Sequence, residues 1–210
     1  MIRAIKPENW EEYELIDSGN GMKLEKFAGQ ILSRPEPQAI WNTRMSQKEW
    51  KEILTASFAQ EGSHKGVWNH VSKLRPWYIH YKLSDQRIKM KLNFTQFKHV
   101  GIFPEQAANW DYIYEKSRAF NGKGSVLNLF AYTGGASLAA KAAEMDVVHV
   151  DSIKQVVSWA NENQGHSKLK GIRWGVNLRL LFFHLYKNVY KNYKTVIYCS
   201  DNAILYFSTK

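Results

Sequence analysis

An apolar run that ends in two adjacent glycines is the first stretch of this sequence with chemistry in it: Asn128-Leu129-Phe130-Ala131-Tyr132-Thr133-Gly134-Gly135-Ala136-Ser137. Where a strand leaves a sheet and a helix begins, such a pair lets the backbone approach a ligand and leaves the first helical amides for polar groups. Taken alone, Gly134-Gly135 fits a tight turn equally well. Asp151 lies seventeen residues beyond Gly134 and ends the apolar run Val147-Val148-His149-Val150. A carboxylate there can accept hydrogen bonds from both hydroxyls of a nucleoside ribose. It also precedes a helix and so fits an N-cap, but the ribose role is favoured. The glycines do not complete G-x-G-x-x-G, which ranks S-adenosylmethionine above a nicotinamide or flavin dinucleotide as the ligand.

The elements that must position these residues read as an alternation: strand Val126 to Phe130, helix Ala136 to Ala143, strand Val147 to Val150 and helix Ile153 to Asn163. That order implies a parallel α/β sheet with right-handed crossovers, whose ligands sit beyond the carboxyl ends of the strands. Upstream, Ala107, Ala108, Trp110, Ile113 and Tyr114 recur at helical spacing. The Gly122-Lys123-Gly124 break after them reads as a hinge. Earlier still, Tyr13-Glu14-Leu15-Ile16 and Phe27 to Arg34 flank the turn cluster Asp17 to Gly21 and predict a β-hairpin, ended by Pro35 and Pro37. Residues 46–54 predict a helix and 60–75 a mobile basic connection. A second hairpin is expected from Trp77 to Lys82 and Ile88 to Leu92 through Ser84-Asp85-Gln86. The expected organisation is a β-rich unit over 1–103, an α/β core over 104–174 and an anomalous tail over 175–210.

Composition sets the outer limits. With 210 residues, 44% hydrophobic and 23% charged, the chain belongs among globular proteins and can bury a sizeable core. No apolar run is long enough to span a bilayer and Met1-Ile2-Arg3-Ala4 opens no signal peptide, so a cytoplasmic location without membrane contact is expected. The lone Cys199 builds neither a disulfide nor a cysteine-rich zinc site, and His64, His70, His80 and His99 lack metal-ligand spacing; no metal is expected. A net charge of +10 favours an anionic partner, nucleic acid foremost, with a merely solvated basic face as the alternative. Lys65, Lys73, Arg75 and Lys82, interleaved with Trp68, Trp77 and Tyr78, are the candidate contacts, and base stacking would fall to Trp68 or Trp77.

Several segments together resemble the class I S-adenosylmethionine-dependent ribosomal-RNA methyltransferases related to the large-subunit cytosine-C5 and guanine-N7 enzymes. They are Tyr13 to Gly19, Arg34 to Trp41, Phe97 to Gln106, Asn128 to Gly135, and His149-Val150-Asp151-Ser152 with Trp159, Ala160 and Asn163. The resemblance covers about residues 12–174. It implies a Rossmann-like core, RNA as substrate and S-adenosylmethionine in the crevice, with Phe103-Pro104-Glu105-Gln106 near the donor and Asp151 on its ribose. Asn128, Phe130, Tyr132, Thr133, Gly134, Gly135 and Ser152 join Phe103, Gln106 and Asp151 as expected cofactor-binding residues.

The resemblance breaks after Trp174. The family's acidic residue for the adenine and its later Asp-Pro-Pro-x-aromatic loop beside the methyl group have no counterpart in 175–210, which is rich in Phe and Tyr and holds one acid, Asp201. A shifted reading frame or truncation is the favoured account; Thr195 to Asn202 as a degenerate catalytic strand and loop is the other. No catalytic residue is assigned, and the chain alone is expected to be a poor or inactive enzyme. A non-catalytic RNA-binding module and a dinucleotide-dependent oxidoreductase remain as rival classes.

Overall fold

The computed structural model describes residues 6–62, 65–70, 75–176, 195–200 and 203–208, the last two stretches as strands. Two compact units emerge. One is Trp10–Tyr81 with Lys91–Ile102; the other joins 6–9, Lys82–Met90 and the described residues from Phe103 onward.

The first unit is built on a five-stranded sheet in the order β1 to β5: Tyr13–Gly19, Met22–Phe27, Gln30–Pro35, Ala56–Glu61 and Lys65–His70. The single hairpin expected over 13–34 is a three-stranded meander. Its second turn was hidden because Ala28 takes φ 47° before Gly29 at φ 88°, a left-handed conformation that alanine rarely adopts. The first helix, α1 (Gln47–Ile53), starts on a capping box in which Ser46 Oγ accepts from Glu49 N and Glu49 accepts from Ser46 N. It crosses over to join β3 to the parallel strand β4. The segment expected to be a mobile connection over 60–75 instead contributes the end of β4 and all of its antiparallel partner β5.

Two devices hold this unit. Arg34, 3% exposed, donates from Nε and Nη2 to Glu25 Oε2 at 2.8 and 2.6 Å and from Nη1 to the Lys98 carbonyl at 3.0 Å. Asp17, 2% exposed, accepts from the Ser18, Arg44 and Met45 amides and from the Trp50 indole. Burial alone would raise its pKa, yet these four donors hold it down at about 2.

The expected second hairpin is present as β6 (Trp77–Leu83) and β7 (Gln86–Leu92), with Ser84 at φ 41° in its turn. The second unit then runs through a 3-10 turn, Pro104–Gln106, into α2 (Ala107–Arg118), β8 (Ser125–Leu129), α3 (Gly135–Ala142), β9 (Asp146–Asp151), α4 (Lys154–His166) and β10 (Arg173–Val176). Its three strands form a parallel sheet in the order β10-β9-β8. Residues 122–124 are no hinge between units, because α2 before them packs on α3 after them. In the tail, β11 (Thr195–Ser200) and β12 (Ala203–Ser208) pair antiparallel, and β11 runs beside β8. Residues 177–194, with most of the tail aromatics, lie outside the described residues.

Candidate cofactor-binding site

The carboxyl ends of β8 and β9 meet at the segment picked out by its glycines. Phe130, Tyr132 and Gly134 all take positive φ, at 56°, 49° and 97°, which folds the chain sharply between β8 and α3. The intervening residues anchor it: Ala131 N donates to the Val150 carbonyl at 3.0 Å, and the Thr133 carbonyl accepts from Asn163 Nδ2 at 3.0 Å. Gly135 is needed for contact, since a Cβ there would lie 2.4 Å from the Trp110 ring of α2. A Cβ on Gly134 would press on Ala160 at 3.2 Å, so this glycine serves both the left-handed backbone and the packing of α4. A side chain at either position meets the protein interior rather than the mouth of the crevice.

Asp151, 9% exposed, accepts from Tyr132 N on Oδ2 at 2.9 Å and from Ile153 N on Oδ1 at 3.1 Å. It clamps the turn after β8 to the start of α4. It is not the N-cap, a position held by Ile153 without a side-chain bond. Each carboxylate oxygen accepts two or more hydrogen bonds, so both retain capacity for a diol. The amino end of α3 likewise has no side-chain cap, leaving first-turn amides for a polar ligand group.

The other expected residues divide into two groups. Phe130, 43% exposed, and Ser152 are open to solvent, and the rings of Phe103 and Tyr132 pack with centroids 5.0 Å apart. Gln106 accepts from Asn109 Nδ2 at 2.7 Å. Asn128 and Thr133, each 2% exposed, belong instead to the scaffold. Asn128 Nδ2 donates to Ser137 Oγ at 2.9 Å, and Ser137 Oγ stands 3.0 Å from His149 Nδ1. Sequence reasoning missed His149, which reads as one more position in an apolar strand. Fully buried against Trp174, it is kept neutral because burial lowers its pKa to about 4.

Of the expected RNA contacts, Lys65 and Arg75 are exposed in the first unit, and Lys73 lies outside the described residues. Trp77 donates its indole N–H to the Phe27 carbonyl at 3.0 Å and packs on Phe94, while Trp68, 7% exposed, packs on Phe58 and Phe94. Trp68 is thus a core residue rather than a stacking platform. Among the described residues no group of three or more His, Cys, Asp or Glu could hold a metal ion. No helix among them is long and apolar enough to cross a membrane.

No family model matches the chain. Among curated proteins, the ribosomal RNA large subunit methyltransferase K/L of Shewanella frigidimarina is 34% identical over 195 residues, covering 80% of this chain and 26% of that protein. Its counterpart from Pseudoalteromonas atlantica is 37% identical over 84 residues, 40% of this chain and 11% of that one. The chain therefore spans about a quarter of the first relative's length. Among solved structures, the S-adenosylmethionine-dependent methyltransferase of Agrobacterium tumefaciens superposes with a TM-score of 0.79 at 32% identity, over 92% of this chain and 61% of that one. SMU.776, described as a methyltransferase complexed with SAH, gives 0.64 at 14% identity over 94% and 55%, which shows the shared fold. By sequence and by fold, the chain is similar to a part of S-adenosylmethionine-dependent methyltransferases, the large-subunit ribosomal-RNA methyltransferases K/L among its relatives.

Proposed function

We propose that this chain is the donor-binding part of a methyltransferase that acts on ribosomal-RNA bases. The observation that carries it is the Asp151 carboxylate, fixed at the carboxyl end of β9 beside the Gly134-Gly135 turn with one bond on each oxygen. That donor and acceptor set fits S-adenosylmethionine: two carboxylate oxygens for the ribose hydroxyls, uncapped α3 amides for a polar end and the open Phe130 ring as an apolar wall. When bound, the cofactor supplies an electrophilic sulfonium methyl. The chain's own residues hold and orient, and alignment is the main requirement of such a transfer. Phe103, Gln106, Tyr132 and Ser152 complete the proposed binding set, while Asn128, Thr133, Gly134 and Gly135 act through the shape of the turn.

RNA as the substrate follows from the names of the relatives and from the +10 charge. The units proposed for these roles are a β-rich portion over residues 1–103, an α/β donor-binding portion over 104–174, and residues 175–210. These last hold no Asp-Pro-Pro segment to press a base against the methyl group, so turnover by this polypeptide alone should be low.

The test is calorimetric titration with S-adenosylhomocysteine and, separately, NAD. Binding of the former alone supports the proposal. Preference for NAD would make this an oxidoreductase, and RNA binding with neither ligand a non-catalytic module.

A further inference from the structure

Several cations of the α/β unit gather around one contact. Along β7, Ile88 and Met90 are buried, Arg87 is exposed and Lys89 half-buried, and Lys82 is exposed near the end of β6. At Lys89 the strand is tied to the end of α4: its amide donates to Ser167 Oγ at 2.9 Å, and the Ser167 hydroxyl donates back to the Lys89 carbonyl at 3.0 Å. The residues that follow include Lys168 and Lys170, both exposed. Cations two apart on a strand face stand about 6–7 Å from each other, comparable with successive phosphates along a nucleic-acid strand.

The backbone at Lys168 gives a second, independent indication. Lys168 N donates to the Gly165 carbonyl and Leu169 N to the Gln164 carbonyl, each at 3.0 Å, the pattern that closes a helix with a left-handed residue after its cap. Glycine is the usual occupant of that position. Here it is an exposed lysine at φ 58°, a conformation that side chains other than glycine rarely adopt. The carboxylates on the same segments are Glu162 and Asp85, and Asp85 is engaged by the Tyr114 hydroxyl at 2.6 Å and Arg118 at 3.3 Å.

We propose that Lys82, Arg87, Lys89, Lys168 and Lys170 form a surface that contacts the phosphate backbone of RNA. It rests on the RNA-substrate reading above, takes up Lys82 from the contacts expected there and adds four further cations to Lys65, Lys73, Arg75 and Trp77. Lys168 and Lys170 follow the carboxyl end of α4, whose amino end adjoins Asp151, so the surface lies toward the end of the sheet away from the proposed donor site and would hold a part of the RNA distant from the reacting base.

The experiment is fluorescence anisotropy of the full chain with a fluorescein-labelled RNA hairpin across a potassium chloride series. Replacing Lys168→Gly and Lys170→Gln together should flatten the slope of log affinity against log salt by about two and weaken binding at low salt by about tenfold. The thermal midpoint should stay level or rise, because glycine relieves the left-handed strain, and this separates lost charge from lost fold. Arg87→Gln with Lys89→Gln should reproduce the flattening. An unchanged slope in both pairs, with flattening in Lys65→Gln plus Arg75→Gln, would overturn this surface and leave the RNA reading intact. A parent chain that does not bind the hairpin at any salt would overturn both, whatever its titration with S-adenosylhomocysteine shows.

Discussion

Two aspartates, one in each unit, close a strand against a turn and are almost withdrawn from solvent. Asp17 receives four N–H donors with an Arg44 guanidinium 3.6 Å away, whereas Asp151 receives two. The saturated carboxylate has spent its acceptor capacity inside the protein and is structural. The half-satisfied one keeps acceptor capacity on each oxygen at the carboxyl end of β9, which is the condition for binding a diol. Burial alone does not distinguish them, at 2% against 9% exposed; the count of donors does.

Mutation breaks the comparison most forcefully at Asp17. Asp17→Ala strands three amides and an indole N–H, so a loss of about 3–5 kcal/mol is expected, comparable with removing one partner of a buried ion pair. Urea denaturation measures it, and a loss below roughly 1 kcal/mol would refute the structural role.

Acid comes next, and each unit holds a histidine that takes up its proton before Asp17 does. His149 has its folded pKa lowered to about 4 from 6.5, so the unfolded chain takes up a proton first. Stability from this group is complete above about pH 6.5 and falls as pH drops toward 4, by roughly 3 kcal/mol. His99 in the first unit is shifted the same way, by burial and then by the neighbouring Arg34 and Lys98 charges. Asp17, lowered to about 2 from 3.8, adds stability that is lost only as pH falls from about 3.8 through 2. Melts between pH 7.5 and 4 should therefore soften well before Asp17 titrates, and a flat profile there would mean that neither His149 nor His99 is buried neutral.

Gly135→Ala tests the scaffold beneath the donor site. The added methyl meets Trp110, and about 1–3 kcal/mol should be lost unless α2 shifts. The smallest effect on stability belongs to Asp151→Asn, which retains an acceptor for one of the two amides and should cost about 1 kcal/mol. Its affinity for S-adenosylhomocysteine should nonetheless fall about ten- to a hundred-fold. Equal binding by Asp151→Asn and the parent would withdraw the ribose assignment and leave two structural aspartates that differ only in degree.

What was legible in the sequence was local. The helix predicted over 46–54, the turn at Ser84 and the βαβα alternation are written within a few residues of where they act. The Asp17 cluster read as a turn because three of its donors come from Arg44, Met45 and Trp50, almost thirty residues or more away. The β4-β5 pair was obscured by Gly62 and Gly66, the second of which looked like flexibility. A Cβ on Gly66 would lie 2.2 Å from the Ala59 carbonyl, so it marks a close approach of strands instead. Asn128, for its part, sits in the segment that signals a ligand yet points into the sheet's polar network, a distinction that adjacency along the chain cannot carry.

The zigzag between β8 and α3 has a consequence for how this protein could change. Ala131 and Thr133 are buried and anchored by main-chain bonds, whereas Phe130 is open and Tyr132 half-open, each in a left-handed conformation. Alternate positions of a single loop thus carry separate duties, one set bearing the architecture and the other facing outward. A lineage drifting in ligand preference, or an engineer building a library, can vary residues 130 and 132 while leaving 131, 133 and the glycines untouched. Asparagine and glycine, which accept the left-handed backbone most readily, are natural first replacements.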